Sequence, residues 1–191
     1  DTTSNLIKIQ DNQNNVIRYT YDGLGRKTKL IDPDLGSWGY KYDEVGNLIE
    51  QVDAKDNKIF IDYDELNRLT KKSTSSSTIN YYYDADKIGA LSRVESPFET
   101  VNYTYDYRLR KIKENKTIDE TEFVTEWTYD SIDRVVSKKL PDGTTINYDY
   151  NNQGSLESIS DVIVSIEYNE NSIVTDRTYI NSISTEFEYD P

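Results

Sequence analysis

The chain is predicted to be all-β, a tandem series of antiparallel hairpins of about 21 residues forming a curled, spiral sheet. Three observations predict it. A tyrosine followed by an acidic or amide residue recurs nine times, at Tyr21-Asp22, Tyr42-Asp43, Tyr63-Asp64, Tyr83-Asp84, Tyr105-Asp106, Tyr129-Asp130, Tyr150-Asn151, Tyr168-Asn169 and Tyr189-Asp190. Successive tyrosines lie 21, 21, 20, 22, 24, 21, 18 and 21 residues apart, which marks an array of repeats. A period-two pattern precedes each pair, and a turn signal follows it.

The first element of each repeat is the strand leading into the tyrosine. Two residues before it stand Tyr19, Tyr40, Ile61, Tyr81, Tyr103, Trp127, Tyr148, Ile166 and Phe187, all large and apolar or aromatic. Four before it stand Ile17, Trp38, Ile59, Ile79, Val101, Thr125, Ile146, Val164 and Thr185, while the residues between are mostly polar, such as Thr20, Lys41 and Asp62. Alternation of β-branched and aromatic residues with polar ones is the mark of a strand with one buried face. In Tyr81-Tyr82-Tyr83 the middle ring must point to the opposite face.

The second element is a turn, clearest in YDGLGR from Tyr21, YDEVGN from Tyr42, YDELNR from Tyr63 and YDSIDR from Tyr129. Asp at the first position can accept hydrogen bonds from amides ahead of it. Gly25, Gly46, Asn67, Asp133 and Gly154 are residue types that tolerate the left-handed conformation. The expectation is a type I turn with a G1 bulge. Leu48, Leu69, Val135 and Leu156 then open a return strand, which ends in a second turn such as DPDLG from Asp32, DAKDN from Asp53 or PDGT from Pro141. Nine such hairpins make roughly 18 strands, which at about 4.8 Å each would span on the order of 85 Å. Open sheets beyond about ten strands curl, so a spiral or partial barrel wall is expected. A propeller using two repeats per blade is the alternative.

Composition narrows the function. Hydrophobic residues make up 35% of the chain, a figure that already counts 17 tyrosines. That is too little aliphatic material for a thick core and suits a thin sheet with one apolar face. Lys and Arg number 22 against 35 Asp and Glu, a net charge of −13, which disfavours nucleic acid as a partner. Cysteine and histidine are absent, so nucleophile–base pairs built on them are excluded. No apolar run reaches the roughly 20 residues of a membrane span. LIKIQDNQNNVI from Leu6 aligns with LIEQVDAKDNKI from Leu48, so the chain opens and closes inside a repeat. Residues 1–191 are therefore expected to be one repeat array taken from a longer protein.

The segments YTYDGLGRKTKL, YKYDEVGNLIEQ and IDYDELNRLTKK resemble the YD repeats of the Rhs family, found in bacterial Rhs toxins, the C components of Tc toxins, wall-associated proteins and teneurins. The resemblance spans the whole chain. It is looser at Tyr83, where DADKIGAL lengthens the turn; at Tyr105, where Tyr107-Arg108-Leu109 break the pattern; and at Tyr168, where Ser172 takes the glycine position. Membership implies a spiral sheet forming the wall of a hollow shell, a secreted or cell-surface location, and a scaffolding role with two kinds of partner. These are the remaining repeats of the parent chain and an enclosed C-terminal toxin domain or an adhesion module. The residues expected to build the repeat are Tyr21, Asp22, Gly25 and Arg26; Tyr42, Asp43 and Gly46; Tyr63, Asp64 and Arg68; Tyr83 and Asp84; Tyr105 and Asp106; Tyr129, Asp130 and Arg134; Tyr150 and Gly154; Tyr168; and Tyr189 and Asp190.

No residue is assigned a catalytic, cofactor or metal role, and the chain is read as not an enzyme. Asp32 with Asp34, Asp53 with Asp56, and Asp84 with Asp86 could in principle supply paired carboxylates. They recur where turns recur, which is what turn-forming Asp does. Asp-x-Asp stretches offer oxygens to calcium, yet the sixth-position glycine and closing glutamate of the full loop are missing. Asn102-Tyr-Thr104 and Asn115-Lys-Thr117 match glycosylation tripeptides. Rows of aromatics suggest a carbohydrate-binding module as the rival function, although the rings belong to the face expected to be buried. Free strand edges predict self-association of the isolated segment.

Overall fold

The structure is a computed structural model that describes residues 4–189; Asp190 lies outside the described residues. The described chain is all-β and forms 18 strands. It divides into two compact units, one running up to Tyr83 and including Arg93–Thr100, the other comprising Asp84–Ser92 and the chain from Val101 onward.

The first unit contains β1 (Lys8–Gln10), β2 (Val16–Tyr21), β3 (Lys27–Asp32), β4 (Gly36–Tyr42), β5 (Leu48–Val52), β6 (Lys58–Tyr63), β7 (Leu69–Ser73) and β8 (Thr78–Tyr83). Each strand pairs antiparallel with the next in chain order. Eight consecutively paired strands are twice the four-stranded blade a propeller would need. The hairpin strands β9 (Leu91–Glu95) and β10 (Glu99–Tyr105) follow. The second unit continues with β11 (Lys111–Ile118), β12 (Thr121–Tyr129), β13 (Val135–Lys139), β14 (Thr145–Tyr150), β15 (Leu156–Ile159), β16 (Ile163–Tyr168), β17 (Val174–Tyr179) and β18 (Ser184–Glu186). These too pair antiparallel in succession.

Register explains the aromatic pattern. Tyr19 pairs with Leu30 and Leu30 with Trp38; Tyr40 pairs with Gln51 and Gln51 with Ile59; Ile61 pairs with Lys72 and Lys72 with Ile79. One face of the first unit is thus a row of rings and aliphatic chains, interrupted by Gln51 and Lys72 and held by cross-strand contacts. The ammonium of Lys27 lies 4.6 Å from the Tyr40 ring centre. Tyr82 points the other way, where it is 39% exposed, donates to Glu95 at 3.0 Å and stacks under the Arg93 guanidinium at 4.1 Å.

The face expected to be buried is only half-buried. Among the described residues Val101 and Ile166 are the only buried hydrophobics. The physical reason is that, within each unit, the described strands pair in succession as a single layer, so a ring's neighbours lie beside it in the sheet. Satisfying the backbone through strand pairing, rather than filling a core, is the main organising interaction.

Candidate functional site

The site that defines this chain is repeated, and it begins with the aspartate after each tyrosine. Asp22 Oδ1 accepts the amides of Leu24 and Arg26, both at 2.9 Å. The backbone closes the same turn through Asp22 N to Arg26 O at 2.9 Å and Gly25 N to Asp22 O at 3.0 Å. Asp43, Asp64, Asp106 and Asp130 repeat this arrangement. Gly25, Gly46 and Gly154 have φ of 77°, 101° and 90°, with Asn67 at 59° and Asp133 at 71°. Pairing slips by one residue just before Tyr21, Tyr42, Tyr63, Tyr129, Tyr150 and Tyr168. This is a type I turn with a G1 bulge.

Tyrosine ties each repeat to the one before it. Its hydroxyl donates to a backbone carbonyl at the start of the preceding return strand or, for Tyr21, just ahead of it. The pairs are Tyr21 to Leu6, Tyr42 to Lys27, Tyr63 to Leu48, Tyr83 to Leu69, Tyr105 to Leu91, Tyr129 to Lys111, Tyr150 to Val135, Tyr168 to Leu156 and Tyr189 to Val174, at 2.6–3.1 Å. Burial pushes the phenols of Tyr63, Tyr83, Tyr105, Tyr129 and Tyr150 above their ordinary range.

Arginine ties each repeat to the one after it. Arg26, Arg68, Arg110 and Arg134 each hold the aspartate of their own turn at 2.6–2.7 Å. Their guanidinium carbons lie over the next repeat's tyrosine ring, 4.9 Å from Tyr42, 4.4 Å from Tyr83, 4.7 Å from Tyr129 and 4.2 Å from Tyr150, a cation–π arrangement. Arg26 Nη1 donates to Asp43 O and Arg110 Nη1 to Asp130 O, both at 2.9 Å. Asp133 also receives Arg108 and Arg110, each at 2.7 Å, which doubles the link between those two turns.

These donors hold the turn carboxyls below the usual carboxylate range. For Asp22 and Asp64 the leading cause is the amide of Arg26 or Arg68. For Asp43, Asp106 and Asp130 desolvation is the largest single influence and acts upward, but side-chain and amide donors together outweigh it. The paired carboxylates do not converge on a common point. Asp32 Oδ1 accepts the amides of Asp34 and Leu35, Asp53 accepts those of Lys55 and Asn57, and Asp86 accepts the amide of Tyr105.

Two readings from sequence need correction. The Tyr105 turn is not broken: Leu109 N bonds Asp106 O, Arg110 closes on Asp106, and Leu109 takes the left-handed position at φ 62°. Ser172 does the same at φ 61° after Tyr168. Both backbones are held by the aspartate or asparagine hydrogen bonds, which override the residue preference at the fourth position. Arg110 was thereby missed, although it stands five residues after its tyrosine, as Arg26, Arg68 and Arg134 do. At Tyr83 the turn is longer, as expected, with Asp84 N bonding Ala90 O and Asp84 itself at φ 67°.

Comparison with known proteins places this geometry. Residues 2–180 match the family model described as Teneurin YD-shell. The chain belongs to that family. It is a segment of a structural shell. Among solved structures it is similar to the crystal structure of TcdB2-TccC3-TEV, with 15% identity and a TM-score of 0.77 over 99% of this chain and 11% of that one. It is also similar to the crystal structure of TcdB2-TccC3, with 14% identity and a TM-score of 0.65 over 100% of this chain and 13% of that one. The chain therefore spans a small fraction of the structures whose fold it shares. No curated protein sequence matches it.

Proposed function

We infer that the chain is a non-catalytic wall segment of a secreted or cell-surface shell that encloses or presents a toxin or adhesion module. The observation that carries this reading is the clamp. Its aspartate closes its own turn and orients the arginine, while tyrosine and arginine reach into the neighbouring repeats, leaving a surface organised for continuity along the chain. In such an array stability is close to a sum of repeat and nearest-neighbour terms, which suits a wall whose length is set by repeat number. The partners on this reading are further repeats and the enclosed domain of the parent chain.

The test is limited proteolysis of the full parent protein. The account expects the segment following the repeats to resist cleavage in the intact protein and to become cleavable when Arg110→Ala and Tyr129→Phe weaken the wall. Equal cleavage before and after would contradict enclosure. The rival, a carbohydrate-binding module, is disfavoured by its candidate rings. The Trp38 indole donates to Leu35 O at 3.0 Å, and the Trp127 ring already carries the Lys111 ammonium at 4.4 Å from its centre. Saturable quenching of these two indoles by an oligosaccharide would favour the rival, and a flat response the scaffold.

A further inference from the structure

The arginine clamp is interrupted at the second repeat, where the position held by Arg26, Arg68, Arg110 and Arg134 is occupied by Asn47. The turn carboxylate, the carbonyl of the next turn and the next tyrosine ring that receive Arg26 are all present there. The Asp43 carboxylate is in place, with Oδ2 taking the short Asn47 amide at 3.0 Å, and the same amide nitrogen donates to Asn67 Oδ1 in the next turn at 2.8 Å, leaving the Tyr63 ring without a stacked cation among the described residues. The next turn offers the Asp64 carbonyl, equivalent to the Asp43 and Asp130 carbonyls that accept Arg26 and Arg110. The next ring is Tyr63, equivalent to Tyr42, Tyr83, Tyr129 and Tyr150, which lie under guanidinium groups.

Between them lies a cavity of about 580 Å³, lined by Asp43, Asn47, Tyr63, Asp64, Glu65 and Asn67 among others, with no lysine or arginine in its wall. Asp22, Asp64, Asp106 and Asp130 each have an ion pair with their own arginine; Asp43 is held by neutral amides alone. We propose that this cavity is a binding site for the guanidinium group of an arginine side chain.

The ligand class follows from the four occupied sites, since each is built for a planar fork that meets a carboxylate with one edge and stacks on a ring with its face. An ammonium could use only the charge. The Tyr63 phenol reflects the missing cation: burial and then the negative charge of Asp43 push it up, whereas at Tyr83, Tyr129 and Tyr150 the arginine acts in the opposite direction. The other gap with a cavity, about 400 Å³ beside Ser155 and Tyr168, has Asn151 in the aspartate position. It lacks the carboxylate and is not included.

The test titrates the isotope-labelled chain with N-acetyl-arginine amide and, separately, N-acetyl-lysine amide, following the side-chain amides of Asn47 and Asn67 and the Tyr63 ring by NMR. The expected result is a saturable shift of these groups with the arginine compound and binding at least about threefold weaker with the lysine compound. Asn47→Arg should abolish the shifts by filling the site from within. Absence of saturation, equal response to both compounds, or unchanged shifts in folded N47R would overturn the proposal. The comparison of the two compounds needs no variant, so it stands whatever N47R does to folding.

Discussion

Two glycines with similar backbones but different surroundings separate conformational strain from contact between turns. Gly36 has φ 74° and Gly46 has φ 101°. A Cβ added at Gly46 would meet nothing within 4 Å, whereas one added at Gly36 would sit 2.5 Å from the Ala54 Cβ. Gly46→Ala should therefore cost about 1–2 kcal/mol, the penalty for a Cβ in the left-handed region. Gly36→Ala should cost that plus about 1–3 kcal/mol for overpacking against a neighbouring turn. Urea melts give the two losses, and hydrogen exchange at the Asp53 and Asn57 amides localises the second. Adding Ala54→Gly to Gly36→Ala should recover the contact part and leave the backbone part, a double-mutant cycle with clear coupling. Equal losses at the two glycines, or no rescue by Ala54→Gly, would refute the reasoning.

Tyr63→Phe removes one hydroxyl donor to the Leu48 carbonyl and should cost about 0.5–1.5 kcal/mol in urea melts, with the loss of exchange protection centred on the second and third repeats. The turn carboxyls are depressed in the folded chain, so their contribution is complete above the unfolded value of about 3.9 and disappears as pH falls through the lower folded values. Ellipticity should hold through the ordinary carboxylate range and fall only below it, and Asp64→Asn should flatten that acid limb. Tyrosine acts in the other direction. Its raised phenols contribute fully below pH of about 10 and lose their contribution above it, so an alkaline unfolding step should coincide with phenolate absorbance. Ser155 and Ile173 stand where other repeats have the stacking arginine, so amides of β16, β17 and β18 should exchange faster than those of β12, β13 and β14.

Much of this was legible in one dimension. The strand before each tyrosine follows from alternation alone, and the turn follows from Asp with Gly, Asn or Asp three residues later, because both are local. Leu109 and Ser172 were not legible as left-handed residues, since hydrogen bonds to Asp106 and Asn169 impose that conformation on side chains that do not favour it. The tyrosine hydroxyl bonds were hidden for a different reason. Their partners are backbone carbonyls about 15 residues earlier, as with Tyr42 and Lys27, and a carbonyl carries no sequence signal. Arg110 was readable from spacing, but the apparent break at Tyr107 masked it. The degree of burial was misjudged because alternation reports which face is apolar, not whether another layer covers it.

The central claim is that the chain is modular in units of one clamped repeat, and deletion tests it directly. Removing Asp43 to Tyr63 joins Tyr42 to Asp64 and takes out Leu48 and Tyr63 together, a donor and its own acceptor. It leaves the Arg26 to Tyr42 and Arg68 to Tyr83 stacks with both members present. Removing Asp43 to Val52 deletes one strand and with it Leu48, so Tyr63 loses its acceptor and the Tyr-Asp turns after the junction fall on the opposite rim from those before it. Hydrogen exchange mapped across both variants is the decisive measurement. The account predicts that the first deletion retains protected strands and turn amides on both sides of the junction, with modestly lower stability, while the second loses protection from the junction onward. Equal loss in the two variants would contradict the modular wall.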